Sequence, residues 1–155
     1  MATSNDIRVQ GLQPVQVLAG LVGLVYLVFG IFGLIRTGFG NFAGQHDVLV
    51  FGFMINPMHA VVNVVAGALG LVMALSSGLA RTYGWILFIG FGLLGVWGLM
   101  ITGLITSNPL SGWGNPLNLN DNDNWLHLGT AVVGLIIAIL PARKRLHAPT
   151  PSPAH

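Results

Sequence analysis

His59 and His127 are the residues of this sequence best placed to do chemistry, because each lies three residues after an asparagine, in Asn56-Pro-Met-His59 and Asn124-Trp-Leu-His127. An imidazole can ligate a metal, hold haem iron or exchange a proton near neutral pH. Asparagine is a favoured helix N-cap and proline is favoured at the first helical position, so the sequence predicts a helix starting at Pro57, capped by Asn56, with His59 in its first turn. Asn124 is expected to cap a second helix in the same way and to bring His127 into the equivalent turn. The pair supports several readings. Each ring can satisfy the backbone of a neighbouring loop at membrane depth. Both can bind a divalent metal such as zinc or copper, with Asp121 and Asp123, or His46 and Asp47, as further ligands. They can clamp a haem between two helices, or relay and sense protons.

The stretch Asn115-Pro-Leu-Asn-Leu-Asn-Asp-Asn-Asp-Asn-Trp125 offers a second kind of chemistry. Asp121 and Asp123 have the spacing of the first two ligands of a calcium loop, but the glycine at the sixth position and the distal glutamate are missing. Asx side chains that build turns and cap the next helix are the expected alternative, with Trp125 and Trp113 as interface anchors. The chain has no cysteine, which removes disulfides and thiolate metal sites. No hydrolase or transferase constellation is visible, and glycines spaced along apolar runs do not make a phosphate-binding loop, so an enzyme is not expected.

The elements that position these residues follow from composition. With 54% hydrophobic and 6% charged residues among 155, there is too little polar surface to coat a soluble domain. A spanning helix needs roughly 20 apolar residues. Four stretches qualify, at about 15–35, 57–75, 84–105 and 125–140, and none contains Asp, Glu, Lys or Arg. The expected fold is all-α, with four transmembrane helices in residues 15–140, a short N-terminal segment at 1–14, and a basic, proline-rich, disordered tail at 141–155. If successive spans alternate, Arg8, Arg81, Arg143, Lys144 and Arg145 fall on one side, while Arg36, Asp47, Asp121 and Asp123 fall on the other. The positive-inside rule makes the first side cytoplasmic, with both termini on it, in a multi-pass protein of the cell membrane. A net charge of +2 gives no argument for nucleic acid. The apolar run from Val48 to Ile55 is too short to span and reads as a re-entrant or interfacial segment.

The halves resemble each other. Phe29-Gly-Ile-Phe-Gly-Leu-Ile-Arg-Thr-Gly38 matches Leu94-Gly-Val-Trp-Gly-Leu-Met-Ile-Thr-Gly103 at an offset of 65, and Asn56-Pro-Met-His59 matches Asn124-Trp-Leu-His127 at an offset of 68. A repeated helix pair keeps its orientation, so the expectation is a four-helix bundle with a pseudo-twofold axis along the membrane normal. Small residues at spacings of three or four, such as Ala19 with Gly23, Gly30 with Gly33, Ala66 with Gly70, Gly92 with Gly95 and Gly98, and Gly134 with Ala138, let backbones approach. They serve packing within the chain or onto a partner.

Asn56-Pro-Met-His59, the Ser-Gly-Leu-Ala-Arg-Thr-Tyr83 connection and Asn118 through Asn124-Trp-Leu-His127 together resemble a family of small bacterial four-span membrane proteins, common in actinobacteria and known as a domain of unknown function (DUF4383). The resemblance runs from the first helix to the fourth and implies an architecture rather than an activity. Relatives often read Asn-Pro-Leu-His-Asn followed by a second histidine, and here those two places hold Ala60 and Asn63. The leading expectation is a non-enzymatic membrane protein that packs against lipid, against itself or within a larger membrane complex. A haem- or metal-binding redox or sensing protein centred on His59 and His127 is the alternative, and a small-molecule channel or transporter is the third.

Overall fold

The structure, a computed structural model, describes residues 11–141. The expectations for Arg8, for the basic tail and for both termini lie outside them. Over the described residues the chain is helical apart from one small hairpin: α1 Pro14–Thr37, β1 Leu49–Val50, β2 Phe53–Met54, α2 Pro57–Met73, α3 Ser77–Ile101 and α4 Asp121–Ile139. Helices α1 and α3 are long and apolar enough to cross a membrane. Helix α2 has 17 residues and α4 has 19, or about 25 and 28 Å at about 1.5 Å per residue.

Local chemistry sets the boundaries. Pro14 and Pro57 open α1 and α2 at the position where a missing N–H costs nothing. Helix α1 stops at Gly38, whose φ of 63° lets its N–H turn back to the Leu34 carbonyl. Helix α3 begins at Ser77, seven residues before the expected Gly84, because Ser76 caps it through the Leu79 N–H at 3.2 Å. Hydropathy misses these seven residues, since Arg81 and Thr82 are polar yet helical. Helix α3 also ends early, at Ile101 instead of 105, and a single 3-10 turn, Ser111–Trp113, follows in the connection to α4. The run from Val48 to Ile55 is a β-hairpin. Phe51 and Gly52 both take positive φ, 52° and 89°, the two-residue turn that matches strand twist.

Helices pack as two antiparallel hairpins through glycine. A β-carbon at Gly67 would strike the backbone of Leu27, and one at Gly30 would sit 2.6 Å from the Val64 nitrogen, so α1 and α2 touch main chain to main chain. Gly84 and Gly134 do the same for α3 and α4, where added β-carbons would lie 2.6 Å from the Ala138 nitrogen and the Leu87 side chain. Side chains fill the space between the hairpins, chiefly Tyr26, Tyr83, Leu87, Phe91 and Ile137. The Tyr83 hydroxyl donates to the Ala66 carbonyl at 3.0 Å, joining α3 to α2.

The distribution of polarity is inverted. Large apolar residues are exposed along every helix, including Leu24 and Ile31 on α1, Val65 and Val72 on α2, Ile89 and Leu93 on α3, and Val132 and Ile139 on α4. Buried side chains include Asn56, His59, Asn63, Asn118, Asp123, Asn124, His127 and Thr130.

Candidate functional site

Most of these buried polar groups lie toward one end of the helices, the end that carries Arg36 at the last turn of α1. Asn56 is the hub. Its carbonyl oxygen Oδ1 caps α2 by accepting from the His59 N–H at 2.9 Å, while Nδ2 donates to the carbonyls of Gly44 at 2.9 Å and Pro116 at 2.8 Å. One buried side chain thus fixes a helix start and both connecting segments. Asn118, held in the left-handed region at φ 57°, donates to the His46 carbonyl at 2.8 Å and completes the junction.

The start of α4 differs from expectation. Its N-cap is Asn120, and Asn124 lies inside the helix, where its Nδ2 donates to the Thr102 hydroxyl at 2.9 Å. The reason is a capping box. Asn120 accepts from the Asp123 N–H at 3.0 Å, and the Asp123 carboxylate accepts from the Asn120 N–H at 2.8 Å. A side-chain oxygen three residues after the cap closes this ring, and the residue three after Asn124 is His127, which has none. The expected Asx turns are present, with Asn115 bonded through its side chain to both main-chain groups of Leu119.

Although their positions in the two helices differ, His59 and His127 meet. Their ring centroids stand 5.8 Å apart with a tilt of 59°, and Phe91 packs edge-on against His127 at 5.4 Å. Exposure falls to 2% for His59 and 1% for His127. Each Nδ1 is buried without a hydrogen-bond partner. Asn63, one turn beyond His59 on α2, has a buried Nδ2 that is likewise unpaired. Deeper still, the hydroxyls of Tyr26 and Thr130 share a 2.6 Å hydrogen bond, and Tyr26 packs on Phe91 at 4.9 Å.

The remaining candidates do not join the pair. Asp121 is exposed in the first turn of α4, and two residues further on Asp123 points to another side of the helix, so the two carboxylates do not converge as a calcium loop requires. His46 bonds the Asn41 carbonyl at 3.0 Å, and Asp47 is exposed. Among the described residues, no group of three or more His, Asp or Glu could hold a metal ion, so the expected four-residue set is not assembled. Asp123 is nonetheless unusual. Ahead of the apolar stretch that begins at Trp125, burial pushes its carboxyl up to about 7, against a smaller opposing effect of its bond from Asn120.

Sequence reasoning missed Asn118, Thr130 and Tyr26 as members of this layer. Asn63 carried a usable signal, since an amide four residues after His59 in an apolar run lies on the same helix face. Tyr26 with Thr130 carried none, because only tertiary packing brings together residues so far apart in sequence.

An all-helical chain with two helices fit to cross a membrane and a buried imidazole–amide layer near one end is the class defined by this fold and site. Within that class the chain belongs to the family described as a domain of unknown function (DUF4383), whose model matches residues 16–140, from the first turn of α1 to the end of α4. No curated protein and no solved structure matches the chain.

Proposed function

We propose that this chain is a four-span, non-enzymatic membrane protein, with both termini cytoplasmic, that serves as an accessory subunit of a larger membrane assembly. The observation that carries the reading is the inverted polarity: apolar residues face outward along all four helices while His, Asn and Asp side chains are buried. Lipid is the solvent that favours this arrangement. Helices α2 and α4 each lie antiparallel along a longer apolar partner, α1 and α3, which supports counting them as spans although they are short. Orientation is supported by charge, since Arg81 stands at one end of the helices and Arg36, Asp47, Asp121 and Asp123 at the other.

A tandem duplication of one hairpin is supported by two contacts. Tyr26 and Phe91 differ by the 65 residues that separate the matched glycines, and they touch; His59 and His127 differ by 68, and they touch. Equivalent residues meet one another only near a twofold axis. The two glycine seams are consumed within the hairpins, so a partner would be met by the remaining apolar surface, where Gly90 and Gly129 have open space above them. A pore is disfavoured by the centre, which Tyr26, Tyr83, Leu87, Phe91 and Ile137 fill.

Crosslinking in native membranes, followed by gentle detergent extraction, tests the role. The chain is expected to migrate in a discrete complex larger than itself. Recovery of an isolated monomer alone would overturn the assembly reading.

A further inference from the structure

We infer that His59 and His127 form a two-coordinate site for a monovalent copper ion, Cu(I). This inference stands on the geometry of the pair and holds whether or not the chain joins an assembly.

Buried polar atoms are as a rule hydrogen-bonded, and here two buried imidazoles in contact each leave Nδ1 without a protein partner. A neutral imidazole always has one nitrogen with a free lone pair, and imidazole is a good copper ligand. With metal–nitrogen bonds of about 2 Å each, two rings bridged by a single ion stand with their centroids about 6 Å apart. The observed separation is 5.8 Å. The main chain of Met54 and of Leu117 lies at hydrogen-bonding range of the His59 ring, and a main-chain carbonyl is among the groups that commonly orient a ligating imidazole.

Ligand number selects the ion. Zinc and Cu(II) require at least three protein ligands or several waters, and no third His, Asp or Glu joins the pair among the described residues. A d10 monovalent ion is satisfied by two opposed nitrogens. Charge argues the same way, because the cost of burying an ion rises with the square of its charge. Asp123, one turn before His127 on α4, is the one acid buried in this layer among the described residues, so at most one positive charge can be balanced there. Haem does not fit, because a macrocycle needs an open cleft around the iron, whereas both rings are buried and Phe91 packs edge-on against His127 at 5.4 Å.

The test uses the full-length chain in detergent, stripped of metal. Cu(I) is presented without oxygen as its bicinchoninate complex, and copper transfer is read from loss of the complex's colour. One Cu(I) per chain is expected, with X-ray absorption at the copper edge giving two nitrogen donors in near-linear geometry and no sulfur. His59→Gln and His127→Gln, with wild-type helical circular dichroism as the folding control, are each expected to weaken transfer at least tenfold. The spectrum of the unmutated chain keeps the proposal testable even if both variants misfold. No transfer to folded wild-type chain, a sulfur-containing copper shell, or full transfer to the folded double variant would each overturn it.

Discussion

His59 and His127 show what a single residue can and cannot reveal. Their chemistry was legible from the matched Asn-x-x-His spacing, and the structure brings them together. Their supposed companions failed for a geometric reason, since Asp121 and Asp123 two positions apart on a helix face different ways. Asp123 instead closes the α4 cap, and its buried carboxyl gives a pH prediction. The fold raises this group from 3.8 to about 7. Below its unfolded value both states are protonated and the stabilisation of the acid form is complete; as pH rises towards about 7 the unfolded chain releases the proton first, so stability declines. Asp123→Asn keeps an oxygen for the Asn120 N–H but cannot ionise. Its unfolding free energy, measured by denaturing-detergent titration, is expected to lose the decline between about pH 4 and 7 that the parent shows. An unchanged slope would assign that decline to another group. The glycines make a second residue-scale prediction. Gly67→Ala drives a β-carbon into the Leu27 backbone and is expected to cost about 1–3 kcal/mol. Gly129→Ala meets nothing within 4 Å and is expected to be neutral or to stabilise by up to about 1 kcal/mol. Equal losses in the same titration would contradict the packing described.

At the scale of elements, helix starts were legible where one residue dominates the choice and obscure where several compete. Asn56-Pro fixes α2 at the expected residue. In the run from Asn118 to Asn124 four asparagines can cap, and two of them, Asn118 and Asn120, have an aspartate three residues on; Asn118 is held at a positive φ and bonded to the His46 carbonyl, which leaves Asn120, four residues before the expected position. The start of α3 was hidden because hydropathy measures lipid contact and not helicity, and its second turn carries Arg81 with its Nε donating to the Ala138 carbonyl at 3.0 Å. The β-hairpin was hidden because a short apolar run has no period to separate strand from helix. Caps can be ranked by what else they hold. Asn120→Ala removes a cap and is expected to cost about 1 kcal/mol, since Asn122 also donates to the Gly52 carbonyl that Asn120 serves. Asn56→Ala removes a cap together with donors to Gly44 and Pro116, and roughly 2–4 kcal/mol is expected. Thermal unfolding of the two variants side by side checks the order, and a larger loss at Asn120 would refute the placing of Asn56 as the hub.

For the whole molecule, composition alone pointed to lipid, and the inverted polarity of the helices supports it. Which small residues pack within the chain was not legible, because Gly30 and Gly129 look alike in an apolar run and differ only in what stands opposite them. The four-span account meets its most direct test in single-cysteine labelling, for which this cysteine-free chain gives no background. Cysteines are placed at Asp47, Gly78 and Ser107, all exposed and located in the three successive connections or at their edge. A membrane-impermeant maleimide applied to intact cells is expected to label positions 47 and 107 and to reach position 78 only after permeabilisation. If α1 and α3 alone crossed the bilayer, positions 47 and 78 would be labelled from outside and position 107 would be protected, and that result would contradict the account.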